Sequence, residues 1–288
     1  HLGETLSAEA GIEVEFKLAS LDKLRSEAHT MFFYDLAMGH RVVVGDADVL
    51  AGLEPNAKNI PLFEATRLLM NRCSGLLFSK EKLEHETFTA EDADFIGRNH
   101  AKAQLAFGDV VLTVEGEYHW SCRTRQERLQ KLSSNIPRLS QIRCHHALGV
   151  EFKLHPQKKS GDKSAFLPLQ TELLQIGREL WLWLESRRLA QTFASIQHYG
   201  LSPLSKCPET NPARNFLING LKFHSAAFAS GKGLRYPRER LLESLPLLLW
   251  EPLDSPGLLQ RVQNNLQSSA STFPELVRAY SKLWQRFN

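Results

Sequence analysis

In residues 11–18 the apolar side chains Ile12, Val14, Phe16 and Leu18 alternate with Glu13, Glu15 and Lys17. Period-two alternation predicts a half-buried strand. A second strand is predicted at Val42–Val44 in "RVVVGD", and the spacing between the two suggests a short helix over "LDKLRSEAH". "GDADVLAGL" reads as a turn running into a short helix, with Asp46 or Asp48 as N-cap. From Ile60 the pattern changes to helical spacing. "IPLFEATRLLMNRCSGLLFS" carries apolar residues on more than one face, so it predicts a helix buried on several sides. Residues 89–116 predict a long helix, opened by Thr89 with Asp92 three residues on, as in a capping box. Further helices are expected at about 121–134, 138–153, 168–198, 212–229, 237–249, 255–268 and 273–286.

This element order predicts an α+β chain that is mostly α: part of a mixed sheet at the N-terminus, followed by a helical array. Two strands do not make a stable domain, because a lone pair is marginal in water. The chain starts at His1 without a methionine, so the expectation is that further strands lie upstream or come from a partner. The polar stretch "HPQKKSGDKSAF" is the best internal boundary. The expected units are therefore 1–58 (the α/β part), 59–154 (a first helical region) and 167–288 (a C-terminal helical domain).

Composition narrows the class. A hydrophobic share of 42% and a charged share of 23% suit a soluble, cytoplasmic globular protein. A net charge of +3 argues against nucleic acid or an anionic membrane as partner. The most apolar run, residues 241–253, is interrupted by Glu243, Pro246 and Glu251 and is too short to span a bilayer. Cys73, Cys122, Cys144 and Cys207 stand apart with no Cys-x-x-Cys pair, which argues against zinc. Cys73 and Cys144 sit in apolar stretches and read as small hydrophobes. A protein partner or homo-oligomer stays open.

Chemistry concentrates at two places. Glu13 and Glu15 share one face of the first predicted strand, about 7 Å apart. They can be divalent-metal ligands or solvent-facing glutamates of an amphipathic strand. On the long helix, Asn99, Lys102 and Asp109 recur at intervals of three and seven, near one stripe. An acid inside "LAFGDVVL" must be paired or functional, and Arg67 or Arg72 on the preceding helix would pair it. Arg123, Arg125 and Arg128 form a short basic cluster. His145 and His146 are adjacent, which is poor metal geometry on a helix.

"GIEVEFKLASLDKLR", "MFFYDLAMGHRVVVGD" and "ATRLLMNRCSGLLFS" together resemble the DNA-polymerase-β-type nucleotidyltransferase superfamily. The likeness is to its stand-alone bacterial and archaeal members, in which a small catalytic domain precedes a helical region. It covers roughly residues 8–120. It implies that 1–58 is the end of the catalytic domain, and that "IEVEF" supplies the third metal carboxylate, Glu13, with Glu15 as alternative. It further implies Mg²⁺, a nucleoside triphosphate as donor and an acceptor of unknown identity. Asn99, Lys102 and Asp109 would then border the nucleotide cleft, Lys102 near phosphates and Asp109 as base or polar anchor. The chain departs from the family pattern in one respect. No Gly-Ser followed by Asp-x-Asp occurs in order, and the Asp46/Asp48 pair reads as a turn. The expectation is thus an N-terminally truncated nucleotidyltransferase, inactive alone; the rival is a non-catalytic helical interaction or scaffold module.

Overall fold

The computed structural model describes residues 2–11, 14–16, 18–22, 30–224 and 232–287. The N-terminal part includes two short helices, α1 (Leu2–Ala10) and α2 (Met31–Gly39). A 3₁₀ turn at Ala57–Asn59 then leads into the long helices α3 (Leu62–Glu84) and α4 (Ala90–Val114). These are followed by α5 (Cys122–Lys131), α6 (Leu139–Leu154) and α7 (Lys163–Arg188). The last five are α8 (Ile196–Leu201), α9 (Pro212–Phe223), α10 (Arg238–Trp250), α11 (Pro256–Leu266) and α12 (Phe273–Phe287).

The chain is mostly helical, and no strand forms among the described residues. This corrects the expected N-terminal sheet. Of the first predicted strand, Ile12, Glu13 and Lys17 lie outside the described residues. Val14 donates its N–H to Ser7 Oγ at 2.7 Å, not to a neighbouring strand, and Leu18 is 97% exposed. Of the second, Val43 and Val44 stand 86% and 91% exposed. The reason is physical: strand propensity is realised only against a neighbouring strand and a packed face, and neither is found among the described residues. "MFFYDLAMG" forms α2, started by Thr30 Oγ1 accepting from Phe33 N–H. Asp46-x-Asp48 lies in a turn, with Asp46 Oδ1 accepting from Asp48 N–H, and no helix follows it.

The helices from Ile60 onward follow the hydrophobic period closely. Thr89 and Asp92 cap α4 reciprocally, each side chain bonding the other's backbone N–H. The largest difference is α7. It starts earlier than expected, capped by Asp162, and stops at Arg188, leaving α8 as a separate short helix. A five-residue link folds α3 and α4 into a helical hairpin. On this hairpin pack α6 and α7, and α10 closes the far side against α3, α8, α11 and α12. Every residue of α10 from Glu239 to Leu249 is buried. One continuous apolar cluster runs from Ala65 to Phe287, with Trp181 wedged edge-on between Tyr199 and Trp250. Cys73 is buried in it, whereas Cys144 is exposed, so only the former acts as a core hydrophobe. α2 belongs elsewhere, to a small cluster of Tyr34, Ala57, Ile60 and Tyr118.

The α4–α6 crossing depends on two glycines. A Cβ on Gly149 would sit 2.6 Å from Leu105 Cα, inside the backbone of α4. A Cβ on Gly108 would sit 2.7 Å from His146 Cγ on α6. Backbone cannot yield as a side chain can, so Gly149→Ala must push α6 away from α4. The expected loss is about 1–3 kcal/mol, the usual range for overpacking, read as a lower denaturation midpoint at unchanged helical content.

Candidate functional site

Asp109, which α4 carries in the middle of its apolar run, is the centre of a buried polar chain. His146 Nε2 of α6 lies 3.0 Å from its Oδ1. Arg125 Nε of α5 stands 2.7 Å from the same oxygen, an ion pair without the alignment of a hydrogen bond. The arginine that pairs Asp109 is therefore Arg125, not Arg67 or Arg72. Arg125 is only 2% exposed. Its Nη1 donates to the backbone oxygens of His119 and Trp120 and to Tyr118 Oη at 3.1 Å, and its guanidinium lies over the Tyr118 ring. Tyr118 in turn donates to Asp35 Oδ2 of α2 at 3.1 Å. Five residues from α2, α4, α5, α6 and the α4–α5 loop are thereby tied in series.

This chain forms part of the wall of a cavity of about 270 Å³ between α2, α3, α4 and α6. The cavity holds three acids, Asp35, Glu64 and Asp109, and five cations, Arg67, Arg72, Lys102, Arg125 and Lys153. Two of the cations are matched: Arg125 by Asp109, and Arg67 by Glu64 at 3.2 Å. Arg72, Lys102 and Lys153 have no ion-pair or hydrogen-bond partner among the described residues. Burial pulls the Arg72 guanidinium below its ordinary pKa despite the attraction of Asp109. Burial, helped by repulsion from Arg72 and Arg98, likewise lowers Lys102.

The acids are also under strain. Glu64, 1% exposed, accepts from Met31 N–H at 3.0 Å and from Arg67 through Oε2, while its Oε1 has no partner. Asp35 likewise has a buried Oδ1 without a partner. Burial raises the Asp35 pKa to about 6, against the opposing pull of Arg125 and the Tyr118 hydrogen bond. Burial also pushes the Tyr118 phenol up, so it stays protonated and remains a donor.

Of the residues singled out from sequence, Lys102 and Asp109 meet in this cavity. Asn99 does not line it: its Nδ2 donates to Phe95 O and its Oδ1 packs against Gly75 of α3. Glu15 is exposed and away from the cavity, and Glu13 lies outside the described residues. In the basic cluster, Arg125 is buried, Arg128 bonds the backbone oxygens of Glu117 and Tyr118, and Arg123 is exposed. Among the described residues, no group of three or more His, Cys, Asp or Glu side chains could hold a metal ion. The described side chains thus do not make the Mg²⁺ site that the nucleotidyltransferase likeness implies. No described helix is long and apolar enough to cross a membrane.

The sequence does not single out Asp35, Glu64 or Lys153; it points to Arg72 only as a partner for Asp109, and to Arg125 only within the basic cluster. For two of them the signal was present. Asp35 in "FFYDLAM" and Glu64 in "IPLFEATRLL" are acids inside apolar runs, the same sign that marked Asp109.

The raised Asp35 pKa sets a pH dependence. Between its ordinary value of 3.8 and about 6 the folded chain binds this proton more tightly than the unfolded chain. Its contribution is therefore favourable at low pH and is lost as pH rises through about 6. Asp35→Asn should melt higher than the parent at pH 7–8, and the gap should close toward pH 4; a gap independent of pH would contradict the assignment. No protein-family model, no curated protein and no solved structure matches this chain.

Proposed function

We propose that the cavity binds the phosphate-bearing part of a small molecule, and that the chain is the ligand-holding helical part of a nucleotidyltransferase. The observation that carries this reading is the set of three unpartnered cations, Arg72, Lys102 and Lys153, around one cavity. Arg72 is partly desolvated, and a multiply charged anion would relieve that cost, while the exposed Lys102 and Lys153 add positive charge beside it. Arg72 offers a planar fork suited to phosphate oxygens, and the lysines act as mobile point charges. The cavity takes a phosphate and a small attached group; the base of a nucleoside triphosphate would lie outside it. The sequence likeness supports the same reading, since it places Lys102 and Asp109 beside the nucleotide. Mg²⁺ enters only through that likeness, with Glu13 and residues beyond the described ones as its ligands, and the cavity reading does not depend on it.

A second reading, a non-catalytic helical module, is favoured by an open groove of about 790 Å³ between α9, α11 and α12. Lys222, Arg278, Lys282 and Arg286 line it, and none has an ion-pair partner among the described residues. On that reading an acidic partner protein would dock there.

Calorimetric titration with tripolyphosphate separates the two. The first reading expects saturable binding that weakens with salt. It also expects a roughly ten- to hundredfold loss in Arg72→Ala or Lys102→Ala, the scale of about 1.5–3 kcal/mol for a charge-assisted hydrogen bond. Affinity unchanged in both variants, or no saturable binding, would remove the cavity from the function.

A further inference from the structure

We infer that α9 and the groove beside it form one docking surface for an amphipathic helix of a partner protein, apolar on one stripe and acidic on the next. This rests on the second reading above, which takes the basic groove as an acidic-partner site, and it is independent of the cavity. It starts from a helix whose polarity is turned inside out. A helix at the surface of a folded chain normally sets its apolar stripe inward. α9 instead buries Asn215 and Asn219 together with Phe223 at its end. The asparagine Nδ2 groups donate to Leu234 O, and to Gly233 O and Arg235 O, so polar bonds to the 233–235 turn hold the helix in place. Leu217 and Leu221 lie one turn apart on the outward side, 64% and 76% exposed, with the half-exposed Phe216 beside them. Large apolar side chains grouped on one exposed stripe mark an interaction surface, whereas scattered ones do not.

Charge identifies the occupant. Helical geometry places Lys222 beside Leu221 on one flank of the stripe, and the exposed Arg214 lies on that flank as well. Lys222 also lines the open groove of about 790 Å³, facing Arg278, Lys282 and Arg286 of α12. None of these four has an ion-pair partner among the described residues, and the one acid lining the groove, Glu275, is bonded by Thr272. The other flank of the stripe, Ala213, Phe216 and Gly220, carries no charge. A helix lying on an anionic membrane carries its cations along the whole polar face, on both sides of the apolar stripe. Here they stand on one side only, around a concave groove. That asymmetry fits a partner helix. Its apolar residues would cover Leu217, Leu221 and Phe216, while acids on its adjoining stripe enter the groove. The apolar contact supplies affinity, and the charges set register and association rate.

Affinity selection of a displayed library of helical peptides on the full chain, followed by fluorescence anisotropy of the selected peptides, tests this. The expected winners carry apolar residues three or four apart beside a row of Asp or Glu, and their binding weakens with salt. Leu217→Ala combined with Leu221→Ala keeps the best helix former at both positions and should cost about tenfold or more in affinity. Lys282→Glu combined with Arg286→Glu should cost about tenfold as well, with a slower association rate. All four side chains are exposed or at the groove rim, and thermal melts at the parent temperature establish that both variants are folded. Peptides that need the groove cations but are indifferent to the leucines overturn this inference and leave the groove reading standing. No selected peptide, or winners without acids, overturns both. Binding to phosphatidylcholine–phosphatidylserine vesicles, lost in the leucine variant and seen without peptide binding, assigns the stripe to a membrane and overturns the inference. Self-association of the chain that is lost in the same variant assigns the stripe to a second copy and overturns it too.

Discussion

The ion pair between Asp109 and Arg125 is the contact on which the cavity depends, because both partners are buried in helices that the apolar core alone would not align. A carboxylate inside "LAFGDVVL" is tolerable only with a counter-charge, and the guanidinium that pairs with it comes from α5, 16 residues further along the chain. Satisfying Arg125 then requires the α4–α5 loop to turn its His119 and Trp120 carbonyls inward. That turn presents Tyr118 to α2, and Tyr118 orients Asp35. Breaking such a pair by removing one partner leaves a bare buried charge, which is why these pairs resist drift more than their small net contribution to stability suggests.

Other buried acids in the molecule are held by denser networks. Glu185 accepts from Thr66, Tyr199 and Arg188, so both of its oxygens are bonded. Glu243 takes Lys232 and Asn265 on Oε2, with Arg261 at 3.2 Å from the same oxygen, while its Oε1 has no hydrogen-bond partner among the described residues. These clusters join helices in the C-terminal half. Asp35 and Glu64 share the half-bonded state of Glu243 but stand beside the cavity.

Much of the helical array was legible in the chain. From Ile60 onward the apolar period, the Thr89 cap and the polar break near 160 place α3 to α6 and α9 to α12 within a few residues. The N-terminal reading failed for a reason local to strands. Alternation in "GIEVEFKL" and three valines in "RVVVGD" describe a face that needs a neighbour, and composition cannot say whether one is there. The site was half legible. Lys102 and Asp109 share a helix, so their meeting follows from spacing; Asn99, one further turn toward the start, is turned aside by the close approach of Gly75. Arg125 and Lys153 enter by tertiary folding. Their convergence depends on Gly108 and Gly149 letting α6 approach α4, and nothing in residue spacing records that distance.

α2 is attached to the rest of the molecule by little. Its anchorage includes the four-residue cluster of Tyr34, Ala57, Ile60 and Tyr118, separate from the main core, the approach of Gly39 to Trp120, and the Met31–Glu64, Tyr34–Tyr118 and Asp35–Tyr118 hydrogen bonds. Sub-global openings follow the least-buried units, so α2 can swing out while α3 to α12 remain intact. Because α2 forms one wall of the cavity, on the proposed reading such an opening would give a ligand a way in that does not disturb the core. The weak anchorage of this one helix would then govern how fast a ligand enters and leaves, independently of how tightly it is held.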